Sequence, residues 1–216
     1  MSEISPEMDG ALREVLERAR VAGSLGPGPI QAHIRHSEGF GEAAEATLGR
    51  EPATFADLGT GGGIPGLVLG LRWPRSPGLF VESNQRRAAA LREALLRLGL
   101  GDRIRVLEQR AEIVGRPDGQ REQSEVVTAR SFAEPAVTAE IAAGLVKVGG
   151  LLLVSEPPDP PNEHPRWPSE GLAELGFEAA DQVKHAGAHF AVVRKVAPAP
   201  ERFPRPVGRP AKRPLW

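Results

Sequence analysis

A chain of 216 residues, 40% of them hydrophobic, carries enough apolar material for one good core and too little for two full domains. Its formal net charge of −1 excludes a generally basic nucleic-acid coat, and the absence of cysteine excludes disulfides, thiolate nucleophiles and cysteine-ligated zinc. No run of about 18 apolar residues could span a bilayer, and an N-terminus bearing Glu3, Glu7 and Asp9 lacks the blocks of a signal peptide, so a cytoplasmic protein is expected.

In chain order, Met8, Leu12, Val15, Leu16 and Ala19 fall at helical spacing, which predicts an amphipathic helix over 7–20 that ends before the break at Gly23–Pro29. A second helical region is expected over 30–48, so that residues 1–50 form a helical extension. The pattern then changes. Ala53–Leu58, Leu79–Glu82, Ile104–Leu107, Val126–Ala129 and Leu151–Val154 are short apolar runs separated by helical or turn-like stretches, the alternation of a parallel sheet. Leu91, Ala94, Leu95 and Leu98 give a helix over 84–98 a stripe to pack on that sheet. Two further runs, Phe177–Val183 and His189–Val196, read as an antiparallel pair at one edge. The predicted fold over 51–197 is therefore α/β and Rossmann-like, with a mostly parallel seven-stranded sheet. Residues 198–216 form a basic, proline-rich tail, with Arg202, Arg205, Arg209, Lys212 and Arg213 against the single acid Glu201.

The first strand runs into Asp57-Leu58-Gly59-Thr60-Gly61-Gly62-Gly63, where alternate glycines allow a tight turn and close approach of a ligand. Pro65 then presets the backbone at the start of the helical stretch Ile64–Leu71. The overlapping frame Gly61-x-Gly63-x-x-Gly66 matches the dinucleotide fingerprint, and Glu82, ending the second strand, suits the ribose diol of either a dinucleotide or S-adenosylmethionine. Asp57 separates the two. An acid immediately before the glycines favours the cationic amino acid moiety of S-adenosylmethionine and repels a pyrophosphate. Ala111 and Glu112, after the third strand, occupy the region that flanks an adenine ring, and Arg130, after the fourth, overlooks the same crevice and could hold a carboxylate or a phosphate.

The segments Asp57–Gly66, Val81–Arg92, Arg110–Glu112 and Thr128-Ala129-Arg130-Ser131-Phe132-Ala133 together resemble the glucose-inhibited division protein B family, the 16S ribosomal RNA guanine-N7 methyltransferases. The resemblance covers about residues 53–155 and resumes in the tail at Arg202–Pro214. It implies a class I methyltransferase fold, S-adenosylmethionine as cofactor and 16S rRNA or the small ribosomal subunit as partner. Gly59, Ile64, Glu82, Ala111, Glu112 and Arg130 are carried over as cofactor-site residues. Asp57, Gly61, Gly63 and Ser83 complete the expected site, and Arg205, Arg209, Lys212 and Arg213 are the candidate RNA contacts. Guanine N7 bears a lone pair and no proton, so its methylation needs no general base and no catalytic residue stands out.

Two segments depart from the family pattern. Val154-Ser155-Glu156-Pro157-Pro158-Asp159 stands where members usually show a lysine, and Ile30–Ser37 replaces the usual Trp-Asn and Asn-Leu-Thr elements. Glu156 and Asp159 would repel an RNA phosphate there, and the two segments keep a small-molecule methyltransferase, or a non-catalytic cofactor- or RNA-binding protein, as alternatives. His33 and His36, at i and i+3, are expected to form a polar face near the site mouth with no metal, and His185 and His189 to flank a hairpin turn.

Overall fold

The apolar runs become a seven-stranded sheet in the computed structural model, which describes residues 6–158 and 165–216. The strands are β1 (Phe55–Leu58), β2 (Gly78–Val81), β3 (Ile104–Leu107), β4 (Ser124–Ala129), β5 (Val146–Glu156), β6 (Asp181–His185) and β7 (Ala188–Arg194). Their order is β3-β2-β1-β4-β5-β7-β6, parallel as far as β5, with β7 antiparallel to both of its neighbours. The order reverses between β1 and β4, so a crevice opens at their carboxyl ends. The helices are α1 (Pro6–Val21), α2 (Ile30–Leu48), α3 (Gly66–Arg72), α4 (Gln85–Arg97), α5 (Ala111–Val114), α6 (Pro135–Ala143), α7 (Ser169–Glu174) and α8 (Arg209–Lys212). Among the described residues no helix is long and apolar enough to cross a membrane. Glu3 and Asp159 lie outside the described residues.

Strand alternation divides the apolar side chains between two cores. Phe55, Phe80, Val126, Leu153 and Phe190 face α1 to α4, while Leu58, Val81, Val127, Leu152 and Val193 face the other way, toward α6, α7 and the tail residues Ala199 and Phe203. The N-terminal helices thus share one core with α3 and α4, and the C-terminal tail is built into the other.

The helical regions and the first four strands lie within a few residues of their expected positions. Two differences occur in the last third. β5 begins at Val146, ahead of the apolar run at Leu151: Val146 pairs with Ser124, and the register shifts across the stretch holding Gly149, at φ 85, before pairing resumes at Leu151. The first hairpin strand begins at Asp181 rather than Phe177: Phe177 makes only an isolated bridge to Lys195, and Glu178-Ala179-Ala180 gives no alternating face to continue it.

Polar contacts pin the layers together. Glu125 accepts from both Arg50 Nη atoms at 2.8 Å and meets Lys147 at 3.0 Å, and the Arg50 guanidinium holds its carboxyl down at about 2. Arg121 donates to the carbonyls of Ala199 (2.6 Å) and Phe203 (2.7 Å). Arg205 chelates Glu140 of α6, whose side chain is 0% exposed, at 2.5 Å. Asp57, also 0% exposed, accepts from Thr128 Oγ1 of β4 at 2.7 Å and from the Gly66 amide at 3.2 Å, joining β1, β4 and α3. Burial pushes its carboxyl up to about 7 against those hydrogen bonds.

Two predictions follow from these buried acids. Arg205→Ala strands the Glu140 charge in the core and lowers the unfolding free energy by roughly 3 kcal/mol, whereas Arg202→Ala, at the exposed pair with Glu174, costs less than about 1 kcal/mol; urea unfolding distinguishes them. The native state also keeps the Asp57 proton at pH values where the unfolded chain has lost it. Stability therefore declines as pH rises from about 4 to 7, by something of the order of 4 kcal/mol, then levels off. Asp57→Asn removes that decline, read as a flatter profile in urea melts across the same window.

Candidate functional site

The loop between β1 and α3 takes its shape from residues that only glycine satisfies. Gly59, Gly61 and Gly63 have φ values of 64, 56 and 103°, and a side chain on Gly63 would strike Leu67. Glu82, at the end of β2 and 5% exposed, ties the loop down: one carboxylate oxygen accepts from the Gly61 amide at 3.0 Å and the other from Asn84 at 2.7 Å. Asn84 in turn caps α4 by accepting from the Arg87 amide.

The structure brings Gly59, Glu82, Ser83, Ala111 and Glu112 together in one cleft of about 240 Å³. The cleft is completed by residues that the sequence reading had not singled out as site residues: Phe132 after β4, Val137 and Ile141 of α6, and Ala211 of α8. The α6 pair has the i, i+4 spacing of a helix face, a signal present in the sequence. Ala211 had no such signal, because its placement depends on how the tail folds back.

Other expected site residues lie elsewhere. Asp57, at the end of β1, and the loop residues Gly63 and Ile64 do not line the cleft; Ile64 belongs to the first core and joins Pro65 through a cis peptide bond. The carboxylate of Asp57 is sealed from the crevice. It occupies the Gly66 amide at the start of α3, the helix end that a dinucleotide pyrophosphate faces in folds of this kind. Gly61 faces a separate, apolar recess between α1 and α4, where Ser24 crosses the loop.

Arg130 lines a second, polar cleft with His36, Ser131, Ser155, Glu156 and Arg166, and the two clefts share Phe132 and Ala133. Neither Glu125 nor Glu134, the acids nearest Arg130 in the sequence, forms an ion pair with it among the described residues, Glu125 being held by Arg50 and Lys147. Its Nη2 instead meets His33 Nδ1 at 2.9 Å, and the other face of His33 lies 3.1 Å from the Gly26 carbonyl. His36 packs edge-on against Phe40, and burial, with Arg130 nearby, pushes its imidazole down to about 4, so it is neutral at physiological pH. Arg130 Nη1 is buried with no hydrogen-bond partner among the described residues.

Glu156, which the sequence set against an RNA phosphate, is matched within the protein: Arg166 Nε lies 2.6 Å from it and Trp167 Nε1 3.2 Å. Of the four basic tail candidates, Arg205 is taken up by Glu140, whereas Arg209, Lys212 and Arg213 are exposed and form no ion pair among the described residues.

The family model described as rRNA small subunit methyltransferase G matches residues 42–159. A ribosomal RNA small subunit methyltransferase G of Chloroflexus aggregans is 41% identical over 169 residues, covering 76% of this chain and 70% of that one. Its counterpart from Roseiflexus castenholzii is 38% identical over 172 residues, covering 77% and 73%. Among solved structures, an O-methyltransferase from Bacillus cereus in complex with SAH superposes with a TM-score of 0.60 at 17% identity, covering 87% of this chain and 91% of that one, a likeness of fold. With its glycine loop, paired clefts and crevice at the β1/β4 reversal, the chain belongs to the rRNA small subunit methyltransferase G family.

Proposed function

We propose that the protein transfers the methyl group of S-adenosylmethionine to N7 of a guanine in 16S rRNA, in the cytoplasm, and that the two adjoining clefts divide the work between cofactor and base. The observation that carries this reading is the junction at Phe132 and Ala133, which line both clefts and so bring a ligand in one against a ligand in the other. The residues present fit the cofactor. Glu82 retains lone pairs beyond its two backbone contacts for ribose hydroxyls, Ala111 leaves room beside a flat base, and the unpartnered Nη1 of Arg130, across the Phe132–Ala133 junction in the neighbouring cleft, suits the carboxylate of a cofactor that reaches that junction. When bound, the sulfonium supplies an activated methyl group and its own leaving group.

The task left to the protein is alignment and the exclusion of water. Gly59 has no side chain where the Phe132 ring packs, and Phe132 flanks the junction at which the two clefts meet. His36 stays neutral, so it adds no positive charge beside a guanine that becomes cationic on N7 methylation. Glu156, neutralised by Arg166, no longer gives a reason to prefer a metabolite over RNA. The exposed Arg209, Lys212 and Arg213 offer a phosphate-binding stripe.

The test is incubation of the protein with methyl-labelled S-adenosylmethionine and small subunits from cells lacking the modification, followed by mapping of the label to a guanine. Label confined to small molecules, or no label at all, overturns the proposal. Arg130→Ala is expected to weaken S-adenosylmethionine binding by about 10- to 100-fold, the cost of one charge-assisted contact, in calorimetric titrations. Replacing Arg209, Lys212 and Arg213 together with alanine is expected to lower the slope of log affinity for single-stranded rRNA against log salt by about 2.

A further inference from the structure

The tail reaches the cofactor cleft by a route that can be followed residue by residue. Glu122 Oε1 accepts from the Ala199 amide at 2.7 Å, and Arg121 grips the next carbonyls, so the segment after β7 is bolted to the loop before β4. Phe203 is buried at 1% exposure, and Pro204 lies against Gly144 at the end of α6. Arg205 then closes on Glu140 and also donates to the Arg213 carbonyl at 2.8 Å, fastening both ends of α8. At Gly208 the backbone turns through φ 76, and its amide donates to Glu112 Oε1 at 3.1 Å. One turn later Ala211 lines the same cleft as Gly59, Glu82 and Ala111.

Glu112 is the hinge of this arrangement. Its side chain is 4% exposed, and its carboxylate is shared between Arg110, at 2.8 Å, and the Gly208 amide. Those contacts hold its charge below the ordinary carboxylate range in spite of burial. A carboxylate so occupied has little capacity left for a ligand. Its position beside Ala111 nevertheless makes it the link between the cleft floor and the tail.

Resting on the cofactor reading above, we propose that residues 208–212 form the outer wall of the adenosyl-binding cleft, and that Glu112 is a positioning residue that hangs this wall from α5. The segment that the sequence marks as a basic RNA-binding tail then has two functions on one short helix. Ala211 faces the cofactor, and its basic neighbours remain at the surface.

The experiment is a graded series at Ala211 in the full-length protein: Ser, Leu and Trp. Calorimetric titration with S-adenosylmethionine and with adenosine gives the affinities, and thermal unfolding without ligand gives the stability of each variant. Ala211→Ser is expected to bind as the wild type does. Ala211→Leu should be several-fold weaker and Ala211→Trp at least 10-fold weaker, for adenosine as for S-adenosylmethionine, with unliganded melting temperatures unchanged because the side chain is exposed. Glu112→Ala should weaken both ligands and also make the 208–216 segment more sensitive to proteolysis. Equal affinities across the series overturn the wall. Failure of the wild type to bind S-adenosylmethionine or adenosine overturns the reading of the cleft itself, and the wall with it.

Discussion

The site depends on a carboxyl group that no solvent reaches. Asp57 lies at the end of β1, where the strand order reverses, and its two oxygens hold Thr128 of the neighbouring β4 and the first amide of α3. The glycine loop can be thin, with four glycines among its residues from Gly59 to Gly63, because its two ends are fixed from below by this group and its middle from the side by Glu82. Burial makes the contact costly to the charged form, and hydrogen bonds only partly offset that cost. A loop placed in this way is preorganised: the backbone need not be ordered when a ligand arrives.

Much of this was legible in the sequence, and the reason is physical. The inner parallel strands, buried on both faces, read as continuous apolar runs, and all five parallel strands were located from such runs, the fifth short at its start. Helix faces repeat at 3.6 residues, so α1 and α4 stood out in the same way. The hairpin was blurred because Phe177 is apolar and buried yet pairs only once, at Lys195. Local pattern records burial; it does not record which backbone amide finds a partner. The glycines and Glu82 were legible as a unit because turn geometry and a strand end are both local properties.

What stayed hidden was long-range. Nothing near Arg205 in the chain announces Glu140, 65 residues away, and nothing near Gly208 announces Glu112. The basic tail therefore read as a set of RNA contacts, although one of its arginines neutralises a buried acid. The same holds for Glu156, whose apparent conflict with a polyanion disappears once Arg166 is beside it. Isolated charges in a sequence are ambiguous in this way, since their meaning depends on partners that only folding selects. Arg130 shows the converse. Its nearest acids in sequence pair with others or lie apart, and its contacts come from α2, where the chain departs most from the family pattern.

The seat of Phe203 has a consequence for the order in which the molecule comes into being. One face of the sheet, packed on α6 and α7, is completed only by Ala199 and Phe203, which follow every strand in the chain, so during synthesis that face stays partly open until residue 203 has been made. Before then the nascent domain exposes an apolar surface and lacks a partner for Glu140. A stop codon or proteolytic nick just after β7 would thus leave a chain whose sheet is whole but whose second core is open, a species for chaperones and proteases rather than a shortened enzyme.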